Sequence, residues 1–358
     1  MKTPKWLINW DNIHFSFNNI DSYNRPFNFV ISGRGSGKTT TAAVRKLYAG
    51  WKAGTPWIVF RRLKVELNEE YITGIEGVIN DFIKKKIIFT YKKGNLQSGM
   101  IDVFVEDKLF CRFVALSCSL AMLKSYYVRN CGGTMFDEFI CSLKNGEKYL
   151  KNEFFKFKET YTTYNRYSKG ILKCYLLGNP YSLYNPYFLN MGVEVEKLKV
   201  GEIYAPKGRN VVVDFFEITP ELKKLILKKN PLFDFDEEYK SYALNGSVVD
   251  DKNIRLVKIH PNGFKLSQVY FIQDKNLAIY YNATDKGELN YWVSLVDTKE
   301  ITRKVYCLDI NDLSTNRVAL SLNDLRQNRN LANAMRTNLI GFKDINCYYL
   351  FLEIYRLL

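Results

Sequence analysis

The chain has 358 residues, of which 47% are apolar and 15% aromatic, so it is long enough and apolar enough to bury more than one core. Seven cysteines without a C-x-x-C pair and only two histidines argue against a zinc site and against catalysis by a Ser-His-Asp or Cys-His set. The net charge of +15 arises within residues 1–230, since residues 231–358 hold 16 basic and 16 acidic side chains; this excess suits a polyanionic partner, but solubility alone would also explain it.

The N-terminal part of the sequence predicts an α/β domain. Hydrophobic periodicity favours short buried strands and amphipathic helices in alternation, with strands at 27–31, 57–60, 133–136 and 171–177 and helices at 38–49, 65–86 and 149–166. Residues 87–116 alternate apolar and polar side chains around the turn KKGN, which predicts an antiparallel insertion. Strands that alternate with helices favour a mostly parallel sheet.

The rest of the chain divides at changes in this pattern. We predict that the first domain covers residues 1–200 and is followed by a linker domain at 201–249. The linker contains one clear helix, with Thr219 as its N-cap, Pro220 at its first position and a stop at Asn230. The lysines of this helix suit either a solvated face or a phosphate backbone. Residues 250–358 form a last domain, with strand-like segments followed by helix from about Leu320.

The strongest local signal is SGRGSGKT at residues 32–39, which follows a predicted strand and opens a predicted helix, as a P-loop requires. The glycines Gly33, Gly35 and Gly37 let backbone N–H groups turn inward around an anion, and the helix N-terminus adds its dipole. Lys38 is expected to reach the β- and γ-phosphates of ATP, and the Thr39 hydroxyl to hold Mg²⁺. The neighbouring nucleotide contacts are predicted to be Arg34, Ser36 and Thr40. The usual first glycine of the motif is Ser32 here.

A second signal is Met135-Phe136-Asp137-Glu138, where an apolar strand ends in two carboxylates about 100 residues after the loop. Asp137 can hold Mg²⁺ through its water shell, and Glu138 can polarise the attacking water as a general base. ATP hydrolysis also needs positive charge on the transferring phosphate, which in ring ATPases often comes from a neighbouring subunit. Candidates are Lys124, Arg129, Arg166 and the pair Arg61-Arg62, each of which could equally be a surface charge.

Six segments occur in an order that resembles the DNA-packaging ATPase of phi29-like bacteriophages: FNFVISGRGSGKTT, VFRRLKVEL, LKSYYVRN, MFDEFI, LLGNPYSLYNPYFL and KVYCLDINDL. The resemblance is dense from residue 27 to 190 and thin from 200 to 300. It implies an α/β fold: an additional-strand P-loop ATPase domain, with helices on both faces of a mostly parallel sheet. A small linker domain and an α+β RNase H-like domain that has lost its chemistry would follow.

The resemblance also implies roles for single residues. Lys38 and Thr39 match the P-loop pair, and Asp137 and Glu138 match the Walker B aspartate and the catalytic glutamate. Three further polar residues correspond to a lysine acting across the subunit interface, an arginine finger and a γ-phosphate sensor, and these are Lys124, Arg166 and Asn179. Arg61 or Arg62 would contact the catalytic glutamate or the phosphates.

The expected function is therefore ATP-driven translocation of double-stranded DNA into a preformed capsid. The implied partners are a portal or connector and the procapsid, with a homopentameric ring as the working form; whether a packaging RNA takes part is left open. No apolar run reaches the roughly 18 residues of a membrane span, and the N-terminus does not resemble a signal peptide, so we expect a location in the host cytoplasm and no membrane partner.

Three alternatives remain at this stage. A helicase or recombinase-type ATPase would separate DNA strands, and a DNA-binding scaffold would carry a vestigial nucleotide site. A terminase-like subunit would keep a working nuclease, which needs converging carboxylates. Asp274, Asp297 and Asp309 lie near predicted strand ends, but turn chemistry explains each of them, so we predict no nuclease activity.

Overall fold

The computed structural model describes residues 4–8, 10, 13–92, 98–125, 128–142, 145–248, 254–272, 274–283, 287–301, 303–321, 323–324, 328–355 and 357. The chain forms two compact units. The first comprises residues 1–141, 152–183 and 187–249, and the second comprises 142–151, 184–186 and 250–358. Two short segments that precede residue 250, at 142–151 and 184–186, therefore belong to the second unit.

The first unit is built on an eight-stranded sheet with the order β3-β4-β2-β5-β6-β1-β8-β7. All neighbouring pairs from β4 to β8 are parallel, while β3 and β7 are antiparallel edge strands. Strand β6 lies between β1 and β5, which is the additional strand of the expected fold. The strands are Phe27–Ile31 (β1), Trp57–Arg61 (β2), Met100–Val105 (β3), Lys108–Ala115 (β4), Gly133–Asp137 (β5), Cys174–Gly178 (β6), Ile203–Tyr204 (β7) and Val211–Phe215 (β8).

The described helices of this unit alternate with the strands. The helix after the P-loop runs through α2 (Lys38–Ala42), a π-helical segment (Ala43–Tyr48) and α3 (Ala49–Lys52). The others are α1 (Asn18–Ser22), α4 (Glu69–Phe82), α5 (Leu120–Ser125), α6 (Glu153–Arg166), α7 (Pro186–Met191, whose first residue belongs to the second unit), α8 (Pro220–Lys229) and α9 (Glu237–Asn245). Single 3₁₀ turns span Lys64–Glu66, Val195–Lys197 and Pro231–Asp234.

Helices cover both faces of this sheet. Consecutive strand residues point to opposite faces, so the contacts of neighbouring residues show which face each helix covers. On one face Phe136 of β5 stacks against Phe157 of α6, with ring centroids 6.3 Å apart. On the other face the hydroxyl of Tyr175 in β6 accepts a hydrogen bond from Lys46 of the π-helical segment at 3.0 Å. Met135 and Tyr175 are register partners, whereas Phe136 pairs with Leu176, so the two contacts lie on opposite sides.

The predicted antiparallel insertion is present. Strands β3 and β4 pair antiparallel, as predicted, and β4 then extends the parallel sheet beside β2. Their connection is Glu106-Asp107, and both residues have positive φ angles (49° and 59°), as a tight hairpin turn requires. The predicted turn KKGN lies before β3, and most of it falls outside the described residues.

The sheet continues past residue 200, where the sequence places the end of the first domain. Strand β8 pairs with β1 in parallel along its whole length, and β7 pairs with β8. The helix predicted in the next segment is confirmed as α8. Its N-cap Thr219 accepts a hydrogen bond from the Leu222 N–H at 3.3 Å, and Pro220 occupies the first position.

The second unit contains a seven-stranded mixed sheet with the order β14-β13-β10-β11-β12-β15-β9. Strands β10, β11 and β12 form an antiparallel meander, and β13 and β14 add in parallel on the β10 side, as expected for an RNase H-like unit. The elements are Arg255–Leu256 (β9), Lys265–Ile272 (β10), Lys275–Ala283 (β11), Leu289–Leu295 (β12), Val305–Cys307 (β13), Arg317–Ala319 (β14), Arg329–Arg336 (α10), Ile340–Phe342 (β15) and Ile345–Tyr355 (α11). Single 3₁₀ turns span Thr298–Glu300 and Ile310–Asp312.

The three aspartates noted at strand ends of this unit all take part in turns. Asp274 has a φ of 60° between β10 and β11, and Asp297 accepts a hydrogen bond from the Lys299 N–H at 3.1 Å. Asp309 accepts one from the Asn311 N–H at 3.0 Å. Within the described ranges, no three or more His, Cys, Asp or Glu side chains come together in a group that could hold a metal ion. The helices described above include none with the length and apolarity of a membrane span.

Candidate active site

The candidate site lies where the carboxyl ends of three adjacent parallel strands meet, which is where ligands bind in open α/β sheets. The P-loop leaves β1, Asp137 ends β5 and Asn179 follows β6. Between them is a cavity of about 380 Å³. Its lining consists of His14, Arg34, Gly35, Ser36, Gly37, Lys38, Thr39, Thr40, Asp137, Glu138, Leu177, Gly178 and Asn179. Nearly all of the residues predicted to contact nucleotide within one chain are thus brought together.

The glycines of the loop are required by its backbone and its surroundings. Gly35 and Gly37 have φ angles of 77° and 85°, which side chains other than glycine rarely adopt. A Cβ atom on Gly33 would lie only 1.9 Å from the carbonyl oxygen of Ala243. The N–H groups of the loop can therefore face the cavity at close range.

The ammonium group of Lys38 is buried among neutral oxygens. It donates to the carbonyl of Ser32 at 2.9 Å and to Oδ1 of Asn179 at 3.1 Å. Within the part of the chain that the structure describes, no carboxylate oxygen lies within 4.0 Å of this nitrogen. Burial lowers the pKa of Lys38 to about 7, although Asp137 and Glu138 raise it in part. A buried cation without a close anion fits a site for phosphate groups.

Ser32 replaces the usual first glycine without distorting the loop. Its hydroxyl lies 2.6 Å from the hydroxyl of Ser36 and accepts a hydrogen bond from Lys38 at 3.0 Å. The side chain is buried. The serine therefore adds a hydrogen-bonding group to the floor of the loop and helps to hold the lysine.

The Thr39 hydroxyl and the Asp137 carboxylate form an oxygen pair at the edge of the cavity. Thr39 donates to Oδ1 of Asp137 at 3.0 Å, and the Tyr71 hydroxyl donates to Oδ2 at 3.2 Å. Burial raises the pKa of Asp137, while the nearby Arg61 guanidinium lowers it. A hydroxyl beside a carboxylate offers the oxygen ligands that Mg²⁺ prefers, so these two residues fit the predicted magnesium site.

Arg61 and Arg62 approach the site differently, which the sequence could not decide. Arg61 contacts side chains: its Nη2 lies 2.8 Å from Glu138 and its Nη1 lies 3.5 Å from Asp137. Arg62 instead donates to the backbone carbonyl of Glu138 at 3.1 Å and to the buried carboxylate of Glu153 at 2.9 Å. Glu138 itself has a φ of 61° and an exposed side chain. One arginine thus holds the carboxylate of Glu138, and the other holds its backbone.

Lys124 and Arg166 are not among the residues that line the cavity. Lys124 lies on α5 and pairs with Glu159 of α6 at 2.5 Å, and Arg166 is the exposed last residue of α6. Glu159 and Arg166 are seven residues apart, so they lie on nearly the same side of the helix. Lys124 of α5 and Arg166 of α6 therefore lie beside the same face of α6, one through its ion pair with Glu159 and the other directly.

Two residues near the cavity were not anticipated as site residues. His14 lines the cavity because the N–H of Phe15 donates to the Ser36 carbonyl at 2.8 Å, which holds the N-terminal segment against the loop. Tyr71 reaches Asp137 from α4. Neither belongs to a local motif, and only the tertiary fold brings them to the site.

Comparisons with known proteins identify the family and the fold of this chain. A family model described as "Podovirus DNA encapsidation protein (Gp16)" matches residues 11–358. The DNA packaging protein of Bacillus phage PZA is 25% identical over 237 residues, which is 66% of this chain and 66% of that protein, so the match spans just under two thirds of its length.

Two solved structures share the fold over nearly the whole chain. The Phi-28 gp11 DNA packaging motor has a TM-score of 0.64 and 17% identity, covering 97% of this chain and 98% of that one. The bacteriophage Phi-29 viral genome packaging motor assembly has a TM-score of 0.58 and 21% identity, with 96% and 99% covered. These likenesses, with the strand order described above, confirm the predicted fold class.

Proposed function

The chain belongs to the podovirus DNA encapsidation protein family, and we propose that it hydrolyses ATP to move double-stranded DNA into a preformed capsid. The observation that carries this proposal is the convergence of Lys38, the Thr39–Asp137 pair and Glu138 around one cavity. A site for Mg-ATP needs a glycine-rich loop and a cation for the phosphates, together with hydroxyl and carboxylate oxygens for the metal. All of these meet at one edge of this sheet.

In this proposal the P-loop holds the triphosphate. The loop N–H groups and Lys38 contact its β- and γ-phosphates, and the hydrogen bond from Lys38 to Asn179 links the phosphates to the end of β6. Thr39 and Asp137 would hold Mg²⁺, which would neutralise charge on the phosphate oxygens.

Glu138 is proposed as the general base for the attacking water. Its carboxylate faces the cavity and is exposed, so water can reach it. The ion pair with Arg61 engages Oε2 of Glu138, so Oε1 is the oxygen that can accept the proton from water. Arg61 also contacts Asp137 and Glu66.

Lys124 and Arg166 are proposed to act on the nucleotide of a neighbouring subunit. They lie outside the cavity of their own chain, and both are exposed, Lys124 on α5 and Arg166 at the end of α6, which supports a role across an interface. Hydrolysis would then depend on assembly of a ring, which we propose to contain five subunits. The positive charge of an arginine supplied in this way stabilises the transferring phosphoryl group.

The remaining partners follow from charge and family. A subset of the basic side chains within residues 1–230, where the excess charge lies, would grip the phosphates of the duplex without reading its sequence, since a pump must accept every sequence. Residues 1–200 would act as the ATPase domain and 201–249 as the linker. Residues 250–358 would contact the portal, the procapsid or a packaging RNA. The complex would form at the procapsid vertex in the host cytoplasm.

The test is ATP turnover by the purified chain with and without duplex DNA and empty capsids, with Lys38→Ala as the inactive control. We expect turnover to rise when both are present and DNA to become protected from nuclease inside the capsid. Strand separation without capsids would instead favour a helicase. Metal-dependent DNA cleavage would favour a terminase-like nuclease, and absence of turnover would favour a scaffold.

A further inference from the structure

The helices that follow β8 pack directly on the P-loop. A Cβ atom on Gly35 would lie 3.1 Å from Cδ1 of Ile226 in α8, and one on Gly33 would meet the carbonyl oxygen of Ala243 in α9. We name α8 and α9, residues 220–245, the linker helices. Because they touch two glycines of the phosphate loop, a change in the shape of that loop must be transmitted to them.

A stacked pair of tyrosines, Tyr181 and Tyr242, joins the P-loop to α9. Nη2 of Arg34, in the P-loop, donates to the hydroxyl of Tyr181 at 2.6 Å. Tyr181 stacks on Tyr242 of α9, with ring centroids 4.9 Å apart. Tyr181 lies two residues after Asn179, so the linker helices contact both the loop and the segment that follows β6.

The opposite face of α8 is basic and exposed. Lys224 and Lys228 are four residues apart, so they are neighbours on one helix face. Each is two residues from Ile226, which places them roughly 200° around the helix from it. Both are exposed, and among the described residues neither has a carboxylate oxygen within 4.0 Å. Lysine near a helix C-terminus also complements the helix dipole, so its position alone does not identify a ligand.

We propose that Lys224 and Lys228 form a binding face for the phosphate backbone of duplex DNA, and that α8 couples this face to the P-loop. The inference rests on the proposed function, since it takes duplex DNA as the cargo. One helix thereby contacts the nucleotide loop with Ile226 and the cargo with its lysines. A shift of α8 caused by nucleotide would change the grip on DNA directly, without passing through the rest of the sheet.

The first test measures binding of duplex DNA by the full-length chain as a function of salt. The variant Lys224→Gln/Lys228→Gln is compared with Lys84→Gln/Lys92→Gln, which removes the same charge at exposed positions near the opposite, β3 edge of the sheet. Loss of two phosphate contacts should reduce the slope of log K against log salt by about 1.8, whereas the control should keep the wild-type slope. Equal slopes for the two variants would overturn the proposed face.

The second test measures the ratio of DNA affinities with and without a non-hydrolysable ATP analogue. Ile226→Ala removes the contact with Gly35, and Tyr242→Phe removes the hydroxyl next to Arg34, so either variant should bring this ratio closer to one. Affinity for DNA without nucleotide should stay near the wild-type value, because both lysines remain. A wild-type ratio in both variants would contradict the coupling.

The two tests also separate this inference from the proposed function. If the wild-type chain failed to bind duplex DNA at low salt, the proposed function would itself be wrong. If the wild-type chain bound DNA and the α8 variant bound it with an unchanged slope, only the assignment of this face would fail.

Discussion

The guanidinium of Arg61 and the carboxylate of Glu138 form a direct ion pair, with Nη2 and Oε2 2.8 Å apart. The arginine is buried and the glutamate is exposed, so the pair lies at the boundary between the sheet and the cavity. The pair fixes the position of the Glu138 carboxylate through Oε2 and leaves Oε1 available to the attacking water.

The first prediction concerns Glu138. We expect Glu138→Gln to lower kcat for ATP hydrolysis by roughly 10²–10⁴, because the amide cannot accept a proton from the attacking water. Affinity for Mg-ATP should change little, since Lys38, Thr39 and Asp137 remain. Steady-state turnover and nucleotide binding by fluorescence would measure the two quantities.

Glu66 offers a matched control for this experiment, because it contacts the same Arg61 at 3.0 Å but does not line the cavity. Glu66→Gln should therefore lose far less than Glu138→Gln. Similar losses in both variants would indicate that the arginine network, and not a base, determines the rate.

The second prediction concerns the buried pair of Arg62 and Glu153, whose side chains are 6% and 1% exposed. Arg62→Met should lower the free energy of unfolding by about 3–5 kcal/mol, because it removes the guanidinium that is paired with the buried Glu153 carboxylate. It also removes donors from the carbonyls of Glu138 and Phe139, so turnover should fall even in the folded fraction. Urea denaturation followed by circular dichroism measures the stability.

A double variant tests whether the predicted loss of stability comes from the pair of Arg62 and Glu153. Arg62→Met/Glu153→Leu should be more stable than the sum of the single variants predicts, with a coupling of about 0.5–3 kcal/mol. The exposed pair Lys197–Glu194 provides the comparison, and its removal should leave stability almost unchanged. Additive effects at Arg62 and Glu153 would show that the pair does not act as a unit.

The third prediction concerns pH. Burial lowers the pKa of Lys38 to about 7 in the nucleotide-free chain, and anionic phosphates should raise it again. Binding of Mg-ATP should then take up close to one proton at about pH 8, where the phosphates are already ionised. Affinity should therefore fall up to about tenfold per pH unit above pH 7 and be nearly constant below it.

Calorimetry in buffers with different ionisation enthalpies counts this proton. Lys38→Arg should remove the uptake, since the guanidinium stays charged throughout the range. Heats of wild-type binding that did not depend on the buffer at pH 8 would contradict the lowered pKa.

The fourth prediction concerns Arg166. Arg166→Ala should reduce DNA-stimulated turnover by roughly 10³-fold, because a finger residue stabilises charge on the transferring phosphoryl group. Mixing these subunits with Glu138→Gln subunits should restore activity at those interfaces that combine an intact Glu138 with an intact Arg166. Lys158, an exposed cation on the same helix, provides the control, and Lys158→Ala should remain active. A mixture as inactive as its components would argue against action across the interface.

The sequence was most informative where function depends on neighbouring residues. The P-loop, the end of β5 and the cap of α8 are local patterns, and the structure has them at the predicted positions. The choice between Arg61 and Arg62 was different. Consecutive residues of an extended chain point in opposite directions, so one of them had to face the site. Which one does so is set by the pairing of β2 with β4 and β5.

Non-local pairing explains the other gaps. Strand β8 has the apolar sequence VVVDF, but its partner β1 lies about 180 residues earlier in the chain, and nothing local indicates that they pair. The contact between α8 and Gly35 and the approach of His14 to the cavity likewise arise only when distant segments pack together.

The left-handed backbone at Glu138 carries a conformational cost. At a φ of 61° a residue with a β-carbon loses roughly 1–2 kcal/mol relative to an ordinary conformation, a loss that glycine escapes. Glycine at this position would therefore be expected to make the chain more durable and to abolish the proposed turnover. Any thermostable variant of this protein should be checked first at residue 138, because durability gained there would come at the expense of turnover.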